Sequence, residues 1–333
     1  MGALAIFRSI MDQQQQLTRE YARYCQARKL ERELHNLTRN DFRVVKVVVE
    51  RWFLTNAQNG DPWISTVEVD LSLLNELVER KIPEPEKILV KIKQVLGSKL
   101  PRVGALKFNM TQDENQVSFT LTETQLWSSG RQQQYTFKLL LSRVTALTQK
   151  YQSLKNTGDP LIAILIVALR YDSIWAGRRQ WAASRELIQQ VGYPIEAMSS
   201  PLNCQSLLFW SDAQFCSLFP EVEMVFGSLG SFLNVDFPSG SCVFVHPARV
   251  YELYDKIIDR CLDQCSKKQC SFALLMYCYA GNSFVQRLRG CGWLREERVV
   301  DMTQYPSENP FDGSTVNSSN LKEKEYIFFL SSE

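Results

Sequence analysis

Apolar residues recur at steps of three and four along the first third of the chain. Between residues 13 and 53 they share one face of a helical projection, and the opposite face is rich in arginine. The apolar positions in the first part of this stretch are Leu17, Tyr21, Tyr24, Leu30, Leu34 and Leu37. This spacing predicts amphipathic helices that bury one face, and it continues in predicted helices over residues 42–54, 71–80 and 85–96.

The period of the pattern then changes to two. Val117, Phe119 and Leu121 alternate with polar residues, and a turn-forming stretch separates them from residues 105–110. This alternation predicts a β-hairpin. Helical spacing returns over residues 133–154, where we predict a further helix. The apolar positions that carry this spacing are Phe137, Leu140, Leu141 and Val144.

Turn-forming residues cluster at 155–160, between two apolar segments. A cluster of this kind is typical of a domain boundary. We therefore predict a mostly α-helical N-terminal domain with a β-hairpin over residues 1–155, followed by an α/β domain over residues 156–333. The second domain has short apolar segments that predict strands at 195–198, 242–245, 271–279, 295–302 and 326–330. Short buried strands with intervening helices indicate a mainly parallel sheet.

Composition places the chain in the globular class, with 45% hydrophobic and 22% charged residues. Its longest apolar run, residues 160–169, is too short to cross a bilayer, so we expect no membrane partner. The net charge of +2 is unevenly distributed, because the basic excess lies in residues 1–150. A basic N-terminal half is compatible with RNA or an acidic protein partner, and a solvated helix face is the alternative. The candidate contacts are Arg23, Arg28, Lys29, Arg32, Arg178, Arg179 and Arg249.

The nine cysteines form no strong metal-binding pattern. Cys261, Cys265 and Cys270 are close in sequence but lack a second cysteine pair or a nearby histidine, so we predict no metal site. Reduced thiols are typical of an intracellular protein, and we expect a nuclear or cytoplasmic location. Residues 3–11 weakly resemble an organelle-targeting helix, which leaves mitochondrial import as an alternative.

A group of small and polar residues follows the predicted strand at 195–198. In open α/β sheets, ligands bind in the loops beyond the carboxyl ends of the strands. A turn of small residues there lets backbone amides approach a cofactor, Pro201 fixes one dihedral angle, and Asn203 offers side-chain hydrogen bonds. The group consists of Ser200, Pro201, Leu202 and Asn203, with Glu196 upstream and Phe226, Gly227 and Ser228 downstream.

Together with Leu169-Arg170-Tyr171, Gly230 and Gly240-Ser241, these residues resemble the cap-specific adenosine N6-methyltransferases, the family of the phosphorylated-CTD-interacting factor. The resemblance covers about residues 160–331. It implies a Rossmann-like methyltransferase domain that uses S-adenosylmethionine. The cofactor-binding residues that it implies are Glu196, Ser200, Pro201, Leu202, Asn203, Phe226, Gly227 and Ser228.

The second half of the family signature is changed in this chain. The family follows its Gly-Ser with Phe-Glu-Ala-Asn-Pro-Pro-Phe, and the last four of these residues hold the adenine that is methylated. This chain has Val243 at the position of the glutamate and Tyr277-Cys278-Tyr279 in place of a later Pro-Glu-Trp. At the four adenine-binding positions it has Val245, His246, Pro247 and Ala248.

These substitutions remove the side-chain carbonyl that would accept a hydrogen bond from the exocyclic amine, and the aromatic ring that would stack on the base. His246 has no nearby carboxylate or second histidine in the sequence, and we interpret it as a turn residue. We therefore expect a methyltransferase-fold protein that is catalytically inactive or weakened and acts as an RNA-associated or assembly subunit. The alternative is an active RNA adenosine N6-methyltransferase with a variant acceptor motif.

Overall fold

The computed structural model describes residues 3–57, 71–124, 134–177, 180–248, 250–301, 303–316 and 324–332. The chain divides into two compact units, each made of two stretches of sequence. The first unit comprises residues 1–138 and 157–179, and the second comprises residues 139–156 and 180–333. The boundary predicted after residue 155 lies between two helices. The helix before it, residues 141–153, belongs to the second unit, and the helix after it, residues 160–173, belongs to the first.

The first unit is mainly helical, as the sequence predicted. Its helices are α1 (Ala3–Thr38), α2 (Phe42–Ala57), α3 (Leu71–Glu79), α4 (Pro85–Leu96) and α6 (Pro160–Ser173). The described apolar positions of α1 that face this unit's core, such as Tyr21, Leu30 and Leu34, are fully buried. Arg170 of α6 donates two hydrogen bonds to the carboxylate of Glu20 on α1, at 2.6 and 2.7 Å, so a buried ion pair joins the two helices.

The first unit also contains a three-stranded sheet in the order β1 (Leu106–Gln112), β2 (Gln116–Glu123) and β3 (Gln134–Leu140). The predicted hairpin is confirmed as β1 and β2, which pair antiparallel. The helix predicted over residues 133–154 is wrong in its first part, because residues 134–140 form β3 and only α5 (Leu141–Ser153) is helical. Tyr135, Phe137 and Leu139 are buried while their neighbours are exposed or half-buried, a period of two that pairing in the sheet requires.

The second unit is built on a six-stranded sheet. Its strands are β4 (Ile195–Ala197), β5 (Gln214–Cys216), β6 (Cys242–Val245), β7 (Ser271–Cys278), β8 (Leu294–Val300) and β11 (Lys324–Leu330). Their order is β5-β4-β6-β7-β11-β8. The first four are parallel, and β11 lies antiparallel to both of its neighbours. The protein is therefore a mixed α/β protein with a helical N-terminal region, which confirms the coarse fold prediction.

The helices of the second unit are α5, α7 (Arg185–Val191), α8 (Pro220–Glu223), α9 (Tyr251–Lys268) and α10 (Ser283–Arg289), and β9 (Ser307–Glu308) pairs with β10 (Thr315–Val316). Leu187 and Ile188 of α7 pack against Phe244, Leu275 and Ile327 of the sheet in one buried cluster. Within the described residues, no helix combines the length and the hydropathy needed to cross a membrane.

Helix α9 is followed by Gln269, whose backbone is left-handed with φ of 54° and ψ of 33°. This geometry caps the helix, because the Gln269 N–H donates to the Gln264 carbonyl, but a side chain at such a position costs about 1 kcal/mol. We therefore expect Gln269→Gly to raise the free energy of unfolding by about 1 kcal/mol, measured by urea unfolding. Gln269→Ala keeps the Cβ and should leave the stability unchanged, so equal effects of the two variants would contradict this account.

Candidate functional site

The parallel strands of the second unit bring the loop after β4 and the residues after β6 to one edge of the sheet. Ala197 at the end of β4 is in register with Val245 at the end of β6 and with Cys216 at the end of β5. The loops that begin at residues 198, 217 and 246 therefore leave the same edge. This is the edge where open α/β sheets bind ligands.

The loop after β4 begins with a sharp change of direction. Met198 has a φ of +65°, in the left-handed region that side chains seldom adopt. The next amide, of Ser199, donates to the carbonyl of Cys216 at 3.1 Å, which ties the loop to the end of β5. A non-glycine residue in this conformation costs about 1–2 kcal/mol, so the surrounding contacts must hold the turn in place.

The turn formed by residues 200–203 satisfies its own polar groups. The Oδ1 atom of Asn203 accepts from the Ser200 amide at 2.7 Å and from the Ser200 hydroxyl at 3.1 Å, and its Nδ2 atom donates to the Trp181 carbonyl at 3.2 Å. The Leu202 amide donates to the Ser200 hydroxyl at 3.1 Å. The amides of Asn203 and Cys204 both donate to the Ser200 carbonyl. Every one of these donors is thus engaged within the protein.

Glu196 lies in the middle of β4 and is 1% exposed. Its carboxylate accepts hydrogen bonds from the Ser199 hydroxyl at 2.7 Å and from the amide and hydroxyl of Ser206 at 3.0 and 3.1 Å. The carboxylate therefore braces both ends of the loop that follows β4.

A buried arginine, which the sequence had not singled out, lies behind the same loop. Arg143 of α5 is 1% exposed and donates to the Cys204 carbonyl and to Gln205 Oε1, the latter at 2.9 Å. Gln205 in turn donates to Glu308 at 2.8 Å, and Arg185 binds the same carboxylate through two hydrogen bonds of 2.7 and 2.8 Å. Burial lowers the pKa of Arg143, while the nearby charges of Glu196 and Glu308 oppose that shift.

The predicted downstream group lies beside β5 and is held by packing. Phe226 is fully buried, with its ring centroid 5.9 Å from that of Tyr151. Gly227 has a φ of +93°, and a Cβ there would lie 2.9 Å from Cε of Lys150, so only glycine fits without displacing that side chain. The Ser228 and Ser217 hydroxyls are 2.5 Å apart. Lys150 donates to the carbonyls of Ser211 and Ala213, and burial lowers its pKa.

The changed half of the signature occupies the end of β6. Val243 and Val245 are fully buried in the sheet, and the His246 amide donates to the Ala197 carbonyl at 3.3 Å. His246 is half-buried, Pro247 is buried and Ala248 is exposed. The exposed residue at this edge, Ala248, thus offers only a methyl group. Val245, at the end of the strand, offers an aliphatic side chain.

The basic residues proposed as RNA contacts lie only partly within the described residues. Arg23 was proposed as an RNA contact, but it is 1% exposed and pairs with Glu20 at 3.1 Å, so that prediction is wrong for Arg23. Arg178, Arg179 and Arg249 lie outside the described residues. Among the residues that the structure describes, no three or more histidine, cysteine, aspartate or glutamate side chains are arranged to hold a metal ion.

A comparison with known protein families identifies a match. The family described as phosphorylated CTD interacting factor 1 WW domain matches residues 123–307, which is more than half of the chain. The chain belongs to this family. The family match includes α5 with Arg143, the loop after β4 and the changed residues 245–248, together with five of the six strands of the second unit's sheet. The similarity to the family therefore spans the candidate site up to Glu308, which lies one residue beyond the match.

The buried hydrogen bonds of Arg143 should contribute to stability. Arg143→Met would leave the Cys204 carbonyl and the Gln205 amide without their buried donor, so we expect the free energy of unfolding to fall by about 3 kcal/mol. Arg185→Met removes a cation from the same network where its side chain is 36% exposed, and should cost about 1 kcal/mol or less. Thermal and urea unfolding of both variants measure the difference. Equal losses would show that burial of Arg143 is not the determining factor.

Proposed function

We propose that this protein is a methyltransferase-fold member of its family that has lost adenosine N6-methylation and acts as an RNA-associated or assembly subunit. The observation that carries this proposal is the end of β6. Val245 and Ala248 are an aliphatic and a methyl side chain at the positions where the resemblance expects an amide and an aromatic ring. Neither can accept a hydrogen bond from an adenine amine or stack on the base.

The sheet supports the methyltransferase part of the proposal. The resemblance implies a Rossmann-like domain with a mainly parallel sheet. Here the neighbouring strands β5, β4, β6 and β7 are parallel, and β11 runs antiparallel between β7 and β8. The predicted cofactor-binding loop follows β4, which is paired on both sides, and ligand loops follow strands in this way in open α/β sheets.

The cofactor-binding side provides a second argument for lost activity. The carboxylate in the methionine part of S-adenosylmethionine needs hydrogen-bond donors, and the resemblance assigns this part of the cofactor to residues 200–203. In this protein the amides and side chains of Ser200 and Asn203 are already bonded to one another and to the Trp181 carbonyl. This arrangement does not fit a cofactor held by these groups, because its binding would have to break several internal hydrogen bonds.

The alternative function is an active RNA adenosine N6-methyltransferase with a variant motif. His246 is the feature that favours it, because a half-buried imidazole at the strand end could accept a hydrogen bond. The imidazole differs from an amide in shape and in the direction of its acceptor atom. Since orientation supplies much of the rate in such a transfer, we regard this alternative as the weaker of the two.

Methyl transfer tests the proposal directly. We expect no incorporation of labelled methyl groups from S-adenosylmethionine into capped RNA that begins with 2′-O-methyladenosine. We also expect no cofactor-dependent shift in melting temperature, whereas a ligand at 100 times its Kd would add about 2.7 kcal/mol of stability. Methyl incorporation that disappears in His246→Ala would contradict the proposal and support the variant-motif enzyme. A melting shift without transfer would contradict only the account of the loop.

RNA association has its own test, on the exposed basic face of α1. Lys29 and Arg32 are exposed, whereas Arg28 pairs with Glu31. If α1 contacts single-stranded RNA, then Lys29→Gln combined with Arg32→Gln should weaken binding and lower the slope of log K against log salt by about 1.4. The matched control, Lys93→Gln with Lys99→Gln, removes the same charge from exposed positions on α4 and just after it.

A full-strength interaction in the α1 variant, or an equal loss in the α4 variant, would contradict a specific role for α1. The family description names an interaction with phosphorylated CTD. A phosphorylated peptide is therefore the competitor to include, because it offers phosphate groups without bases.

A further inference from the structure

A cavity of about 190 Å³ opens on the second unit's sheet, between α7 and the strands β8 and β11. Its floor is apolar and formed by Leu187, Val300 and Ile327, which also belong to the buried cluster beneath α7. None of its lining residues belongs to the loops after β4, β5 and β6. The cavity is therefore distinct from the candidate site at the carboxyl edge of the sheet.

The rim of the cavity combines flat side chains with hydrogen-bonding groups. The guanidinium carbon of Arg298 lies over the ring of Phe329, 4.9 Å from its centroid. The guanidinium is also held by the carboxylate of Glu296, with one N–O distance of 2.7 Å. The Tyr305 hydroxyl donates to Gln190 Oε1 at 3.0 Å, which holds a second ring at the rim.

We infer that this cavity binds a single nucleobase, presented either by a free nucleotide or by a single-stranded RNA. Bases stack on aromatic rings and on arginine guanidinium planes, and both types of surface line this cavity. The hydroxyl of Tyr193 and the amide of Gln190 add hydrogen-bonding groups for a base edge. The volume is smaller than the roughly 300–1,000 Å³ of pockets for drug-sized ligands, which favours one base over a larger ligand.

This inference deepens the proposed RNA association and rests on it only for the source of the base. The four nucleoside 5′-monophosphates are titrated into the full-length protein and followed by calorimetry and ligand-observed NMR. Ribose 5-phosphate is the matched ligand without a base. We expect at least one monophosphate to bind and ribose 5-phosphate to bind about tenfold more weakly or not at all.

Variants locate the binding to the cavity. Tyr305→Leu and Arg298→Ala should each weaken the bound monophosphate by about fivefold or more, the loss expected when one stacking surface is removed. The matched controls are Arg295→Ala, which removes the same charge from the same strand, and Tyr279→Leu, which removes an exposed tyrosine elsewhere in the unit. Neither control residue lines the cavity, and both controls should bind as the unchanged protein does. Melting temperatures verify that all four variants are folded.

Several results would overturn the inference. They are the absence of binding at about 10 mM of every monophosphate, equal binding of ribose 5-phosphate, or equal losses in the test and control variants. A short single-stranded RNA then separates the two sources of the base. If the RNA binds and Tyr305→Leu has no effect on it or on the monophosphates, the cavity assignment fails while RNA association stands. If monophosphates bind in the cavity but RNA does not bind at all, the nucleobase site stands as a nucleotide site and RNA association fails.

Discussion

The buried charge of Arg143 determines how the second unit arranges its polar groups. An isolated buried cation is very costly, so it must be surrounded by acceptors. The Cys204 carbonyl and the Gln205 amide provide the direct contacts, and Glu308 binds Gln205 in turn. Because Cys204 and Gln205 directly follow the turn of residues 200–203, the requirement to solvate one guanidinium also fixes the loop at the candidate site. A loop held in this way has few groups left over for a ligand.

The proposed loss of methylation rests on apolar packing at the end of β6. Val243 and Val245 are fully buried, and in the family pattern these positions carry a glutamate and an asparagine. A buried polar side chain costs free energy unless it is hydrogen-bonded, and at a catalytic site its partner is often the substrate. Valine needs no hydrogen-bond partner, and it adds apolar contacts to the sheet. Active-site residues commonly lower the stability of a protein in return for function, whereas the two valines of this strand add apolar packing.

The sequence predicted elements well where one local pattern dominated. The helix over residues 85–96 and the strands at 242–245 and 271–279 agree with α4, β6 and β7 within a residue. Residues 134–140 carried two patterns, because Phe137, Leu140 and Val144 fit a helix while Tyr135, Phe137 and Leu139 alternate. Pairing within the three-stranded sheet decided for the strand, and the local sequence alone does not choose between the two patterns.

At the candidate site, too, local features could be predicted and long-range contacts could not. That residues 200–203 and 245–248 share one edge could be predicted, because parallel strands end together. The network of Arg143, Gln205 and Glu308 could not, since its members are 62 and 103 residues apart and each is an ordinary polar residue in its own segment. Placing asparagine at residue 245 alone would bury an amide with no partner, at about 1–3 kcal/mol, while the loop behind it would stay closed by its own hydrogen bonds. Under the proposed function, restoring activity would therefore require changes both to the acceptor residues and to the loop that Arg143 holds, and the second requirement is invisible in the motif.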